Sequence, residues 1–199
     1  MSLSTPSTPV PGQVSGAHDA TSQIALAARR KGFRALHERG CFIIPNPWDV
    51  GSARYLEHLG FRALATTSAG FAFSQGLPDS GDDAVMTRER SLAYIASITA
   101  AVDLPVSADF MSGYGLEPDD VAESVRRCVG TGVAGLSIED STGDRSSPLY
   151  ELSRAVDRVR AAREAIDQSG GDVLLTARAE CYHVGHPDPV RESVRRLQA

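Results

Sequence analysis

One lysine occurs among the 199 residues, Lys31, in a segment read as the first helix. A Schiff-base mechanism is therefore left without an amine at any strand end. Cysteine is also scarce: Cys41, Cys128 and Cys181 are far apart, odd in number, and form neither a CxxC pair nor a zinc spacing. The three thiols are expected as small buried hydrophobes in a reducing cytoplasm. No apolar run approaches the roughly 20 residues of a membrane helix, and residues 1–16 have neither the basic nor the apolar region of a signal peptide. A net charge of −5 offers no basic surface for nucleic acid or anionic membrane. GxSxG, the P-loop and GxGxxG are all missing.

Hydrophobic residues make up 42% and charged residues 23%, the balance of one globular domain with a sizeable core. Residues 1–20, rich in Ser, Thr, Pro and Gly, read as a flexible tail ahead of a single domain over 21–199. The chain is organised around residues 104–115, LPVSADFMSGYG. Its apolar run delivers Asp109 and breaks into the loop Gly113-Tyr114-Gly115, after which Pro118, Asp119 and Asp120 open a helix. Further strands are expected at 41–45, 61–67, 133–138 and 173–177. Helices are expected at 24–38, 50–59, 87–101, 119–131 and 152–168, with a last one from Asp188-Pro189. Residues 68–86 exceed the about 2–6 residues of a normal strand-to-helix loop and are expected as a packed, functional loop.

Strands alternating with helices predict a parallel α/β sheet. Two architectures fit. One is a five-stranded doubly wound sheet of receiver-like or flavodoxin-like type, order 2-1-3-4-5, which the length favours. The other is a (β/α)₈ barrel, order 1-2-3-4-5, incomplete here with about five βα units, which an ending inside a helix favours. An incomplete barrel has open edge strands, so instability or association into a homo-oligomer, dimer or tetramer, is expected.

Polar residues recur at strand ends: Asp79 in the long second loop, Asp109 after the third strand, Glu139 and Asp140 after the fourth, Arg178 and Glu180 after the fifth. In a parallel sheet these share one rim, and convergent oxygens suit Mg²⁺. Arg178 can grip a substrate carboxylate with two donors. Plain helix capping is the competing explanation for such acids. Met111 stands two residues past Asp109, where a second acid would point the same way, and a thioether is a poor ligand for a hard cation. His183 and His186 lack an i,i+4 partner and read as loop histidines. Tyr114 and Asp144 are the weak candidates for a general acid or base.

Residues 44–53 (IPNPWDVGSA), 66–79 (TTSAGFAFSQGLPD), 107–115 (SADFMSGYG), 135–144 (GLSIEDSTGD) and 175–180 (LTARAE) carry a resemblance to the isocitrate lyase and phosphoenolpyruvate mutase superfamily. That resemblance implies a (β/α)₈ barrel that uses Mg²⁺ or Mn²⁺ to bind a small 2-oxo acid or dicarboxylate and stabilise its enolate. A carbon–carbon lyase or phosphonomutase activity would follow. It places Thr67, Ser68 and Ala69 at the substrate carboxylate, Asp109, Asp79 and Glu139 at the metal, and Arg178, Glu139 and Asp79 in catalysis. Three features depart from the family's pattern. Asp109-Phe110-Met111 stands for its DxD, and the loop STGDRSSPLYE lacks its cysteine and lysine. The segment after the fifth βα unit is missing, which implies a truncated barrel. These departures also fit a non-catalytic member that binds a small carboxylate.

Overall fold

Period-two alternation decides what the sheet presents to each side. The computed structural model describes residues 15–79 and 86–199. Within them β1 (Leu64–Ala65), β2 (Val106–Asp109), β3 (Gly135–Glu139) and β4 (Leu174–Arg178) form one parallel sheet in the order β1-β2-β3-β4. Sequential order excludes the doubly wound arrangement, which would place the first strand between the second and third. Each strand beside its predecessor is the order of a (β/α)₈ barrel, incomplete in this chain. Val106, Ala108, Leu136 and Ile138 alternate inward into a buried core. They meet Ile95 and Ile98 of α4 (Arg88–Ala101), Val121, Val125 and Cys128 of α5 (Pro118–Gly130), and Ala162 and Ile166 of α6 (Leu152–Gln168). Ser107, Asp109, Ser137 and Glu139 take the other face and are half-buried.

The strand expected at 41–45 runs extended beside β1 without joining the ladder. Ala65 N–H donates to the Pro45 carbonyl at 3.1 Å. The return bond would come from residue 47, a proline with no N–H. The Asn46 side-chain amide supplies it, donating to the Ala65 carbonyl at 2.9 Å. The expected loop 68–86 begins as a helix, α3 (Ser68–Ser74), because the Thr67 side chain accepts from Gly70 N–H and caps it; residues 80–85 lie outside the described ones. Of the expected tail, residues 1–14 lie outside the described residues, and 15–20 belong to α1 (Ser15–Glu38).

Helix α1 has no continuous apolar stripe: Ile24 is 72% exposed while Phe33 is 2% exposed. Phe33 packs with Ala63 and Ala134 under the sheet, so close to Gly135 that a Cβ there would lie 2.6 Å from its ring. Arg30 adds bonds to the carbonyls of Val133 and Val129. Cys128 and Cys181 are buried as expected, but Cys41, at the start of the unpaired extended segment, is exposed. Among the described residues no helix is long and apolar enough to cross a membrane. The last elements are α2 (Val50–His58), with Asp49 and Ser52 forming a capping box, and α7 (Pro189–Leu197).

Past β2 the chain turns through two non-glycine residues in the left-handed region, Met111 (φ 47°) and Tyr114 (φ 53°), with Gly113 (φ 87°) between them. Such backbone persists only when its surroundings over-determine it. Arg158 of α6 does this. The residue is 1% exposed, and its guanidinium donates to the carbonyls of Ser112, Gly115 and Leu116 at 2.6, 2.6 and 2.8 Å and lies 4.1 Å from the Tyr150 ring centroid. Bonds to a charged donor contribute about 1.5–3 kcal/mol each, non-additively. Arg158→Met, which strands the carbonyls of Ser112 and Gly115 and leaves that of Leu116 to Arg154 alone, should therefore cost about 3 kcal/mol or more in urea unfolding. That corresponds to roughly 6–12 °C in melting temperature for a chain of this size. An unchanged midpoint would refute this role.

Candidate active site

β2, β3 and β4 end on Asp109, Glu139 and Arg178 respectively, and register places Glu139 directly beside Arg178. The strand tips therefore deliver two carboxylates and a guanidinium to one place. Arg178 Nη1 lies 3.2 Å from Asp109 Oδ1 and 2.8 Å from Glu139 Oε1, and its Nε lies 2.8 Å from Glu180 Oε1. Ser68 donates to Asp109 Oδ2 from both its backbone N–H (2.9 Å) and its hydroxyl (2.8 Å). The Thr66 hydroxyl accepts from Asp109 N–H. Ser141 Oγ donates to Glu139 Oε2 at 2.9 Å.

One guanidinium divided among three acids leaves each of them under-compensated. Burial raises the Glu139 carboxyl above its ordinary 4.5; Arg178 pulls it down, but the charges of Asp109 and Glu180 push it up again. Burial works against the charge on Arg178, yet Glu139, Glu180 and Asp109 together outweigh it and raise its pKa. The two directions are consistent: the arginine gains from three partners, whereas each acid has a share of one.

A cleft of about 740 Å³ opens over this knot. It is lined by the residues that the resemblance places at substrate and metal: Thr67, Ser68, Ala69, Asp79, Asp109, Glu139 and Arg178. Their surroundings differ from expectation in several respects. Thr67 Oγ1 is committed to capping α3 through Gly70 N–H at 3.1 Å. The donors of Ser68 are directed to Asp109. Asp79 is exposed on the rim. Asp140 is turned away: its Oδ1 accepts from Glu180 N–H at 2.8 Å, and its Oδ2 lies 3.2 Å from Arg196 of α7. It binds the loops after β3 and β4 together behind the site. Met111 lines the cleft, but its left-handed backbone breaks the strand alternation, and it packs with Ala72 and Met86. Tyr114 directs its hydroxyl to Met111 Sδ at 3.0 Å and is not among the lining residues. His183 is at the cleft wall; His186 Nδ1 accepts from Asp188 N–H.

The oxygens of Asp109 and Glu139 are the hard donors that Mg²⁺ prefers, and that ion needs only one or two carboxylates besides water and substrate. Three carboxylates against one arginine also leave a local excess of negative charge. The chemistry of the donor set fits a divalent ion, which Asp109 and Glu139 would hold. The expected three-acid set is not assembled, however: among the described residues no group of three or more His, Cys, Asp or Glu side chains is arranged to hold a metal. The sequence reading passed over Ser141 and Arg145. Ser141 stands two residues past Glu139, the strand-like spacing that returns a side chain to the same face. Arg145 is the only base in the Gly, Ser and Asp-rich loop after β3.

A family model described as phosphoenolpyruvate phosphomutase matches residues 33–199. 2-Methylisocitrate lyase of Escherichia coli (strain K12) is 29% identical over 184 residues, covering 88% of this chain and 60% of that one. The crystal structure of a candidate lyase/mutase from Burkholderia cenocepacia J2315 superposes with a TM-score of 0.82 at 46% identity, covering 87% and 61%. The structure of oxaloacetate acetylhydrolase with its product oxalate superposes at 0.76 and 27% identity, covering 87% and 59%. The chain spans about three fifths of the length of these relatives.

Linkage makes the crowding of acids measurable. Between 4.5 and its raised folded-state value, Glu139 keeps in the native chain a proton that the unfolded chain has lost. Stability then falls as pH rises through that window, and the cost is absent below it. The stability of Glu139→Gln relative to the wild type should therefore shift in the mutant's favour between about pH 4 and about pH 7 in urea unfolding. A gap that is constant, or that moves the other way, would show that Arg178 neutralises Glu139 fully.

Proposed function

The chain belongs to the phosphoenolpyruvate phosphomutase family, and from that premise we propose that it acts on a small 2-oxo acid. The reaction makes or breaks a C–C or P–C bond beside the carbonyl, as a lyase or phosphonomutase does. The observation that supports this most is the convergence of Asp109, Glu139 and Arg178 at the strand tips under one cleft. When the bond next to a carbonyl breaks, negative charge gathers on the carbonyl oxygen. A fixed cation aimed at that oxygen stabilises the transition state more than the ground state. Arg178, held from three sides, is such a cation. Bound Mg²⁺ or Mn²⁺ would supply Lewis-acid stabilisation of the same charge. Ser68 and Ser141 orient the carboxylates of Asp109 and Glu139.

Neither weak candidate for proton transfer gains from the geometry. Tyr114 is spent on Met111, and Asp144 is held below the usual carboxylate range by the Ser146 N–H and hydroxyl. A second reading, a member that binds a small carboxylate without turning it over, is favoured by Met111 in an apolar cluster where a second acid was expected. We place the protein in the cytoplasm, on its three unpaired thiols, and expect a homo-oligomer.

Oxalate, a mimic of the enolate, tests both readings. At about one hundred times its dissociation constant a ligand adds about 2.7 kcal/mol, or roughly 5–10 °C here. That shift should require Mg²⁺ and vanish in Asp109→Asn. No Mg²⁺-dependent shift would defeat the proposal, and a shift without turnover of any 2-oxo acid would select the second reading.

A further inference from the structure

Arg178 has three acidic partners, but they do not meet it in the same way. Asp109 Oδ1 and Glu139 Oε1 both lie at Nη1, at 3.2 and 2.8 Å. These are the two carboxylates whose oxygens suit a divalent ion. Glu180 Oε1 lies instead at Nε, 2.8 Å away, and its side chain makes no other hydrogen bond or ion pair among the described residues. It is also the most sheltered of the three, with a side chain 9% exposed against 17% for Asp109 and 16% for Glu139.

The backbone under Glu180 is fixed on both sides. Its N–H donates to Asp140 Oδ1 at 2.8 Å, and Asp140 Oδ2 is paired with Arg196, itself held by Glu192. Its carbonyl accepts from Val184 N–H at 3.0 Å, and the next carbonyl, that of the buried Cys181, accepts from His186 N–H at 2.9 Å. The turn after β4 therefore presents Glu180 from a packed base. None of these bonds involves Asp109 or Glu139.

An ion held by Asp109 and Glu139 would change the balance at Arg178. The oxygens that face Nη1 would be drawn to the stronger charge, and a second cation would stand beside the guanidinium. Like charges this close repel, the more so when sheltered from water. Two of the three restraints on Arg178 would weaken together, on a side chain that is 39% exposed and has solvent to turn toward. Glu180, bonded to a different nitrogen and outside the ion's holders, keeps its grip. We propose that Glu180 is a positioning residue: it retains Arg178 at the strand tips while a divalent ion engages Asp109 and Glu139, so that ion and guanidinium face one bound oxo acid together. This rests on the reading of the strand tips as a divalent-ion and oxo-acid site. It gives a use to the third acid, which Arg178 does not need while Asp109 and Glu139 are free to pair with it.

The test joins two measurements on the full 199-residue chain: oxalate binding by calorimetry, at Mg²⁺ saturating for each variant, and thermal melting without Mg²⁺. Glu180→Gln keeps an oxygen to face Nε and removes the charge. It should weaken oxalate about tenfold, because Arg178 is no longer held against the ion. General attraction predicts the opposite sign, since loss of a negative charge favours an anion. Without Mg²⁺ the same substitution should lower the melting temperature by no more than about 2 °C, because Asp109 and Glu139 still pair with Arg178. Glu180→Gln that binds oxalate as tightly as wild type, or more tightly, would overturn the proposal. So would a larger fall in melting temperature without Mg²⁺, or failure to fold, since Glu180 would then be a plain structural partner. Both outcomes leave the reading of the strand tips standing. Wild type that binds no oxalate with Mg²⁺ would defeat that reading, and the role of Glu180 with it.

Discussion

A single guanidinium serves three carboxylates where the parallel strands stop. Arg178 touches Asp109, Glu139 and Glu180, and none of the three has another arginine or lysine within ion-pair reach among the described residues. Charges this close and this sheltered are costly unless paired. The knot is therefore under-neutralised by construction, and burial first, with the charges of Asp109 and Glu180 behind it, raises the pKa of Glu139. A surplus of fixed negative charge facing an open cleft is a demand for a cation. That demand connects the fold to the proposed chemistry.

The surrounding structure holds the knot in place. Register between β3 and β4 seats Glu139 next to Arg178, and alternation turns Asp109 and Glu139 away from the helices. From behind, Asp140 joins the loop after β4 through Glu180 N–H and pairs with Arg196 of α7. Ahead of β2, Tyr94 donates to the Pro47 carbonyl at 2.6 Å and stacks on Phe71 with ring centroids 4.2 Å apart. Burial pushes its hydroxyl up to about 12, so it remains a neutral donor tying α4 to the loop before α2. Past β2, Arg158 holds the left-handed backbone of Met111 and Tyr114. Arg158 and Arg178 thus divide the work: one secures the backbone beside the site, the other the charges within it.

Much of this was legible in the sequence, for a physical reason. Asp109, Glu139 and Arg178 each follow a short apolar run, and in a parallel sheet residues at that point share a rim. The helices could be read from their caps and apolar faces, as with Val121, Val125 and Cys128. What escaped depends on contacts that local pattern does not encode. The segment 41–45 has strand-like residues, but Pro47 removes the donor that would complete the ladder. Thr67 reads as a strand residue, yet it caps α3. Met111 was placed by strand alternation that its positive φ does not follow. Asp140 sits beside Glu139 in sequence but faces the opposite way, as neighbours near a strand end do.

The central claim is that the tips of β2 and β3 hold a divalent ion in the cleft over Arg178. Crystals of the chain grown with Mn²⁺ and oxalate, with anomalous diffraction recorded at the manganese edge, test it most directly. The account predicts one strong peak in the cleft, at coordination distance from oxalate and adjacent to Asp109 and Glu139. A cleft without a peak, or a peak elsewhere on the molecule, would contradict it.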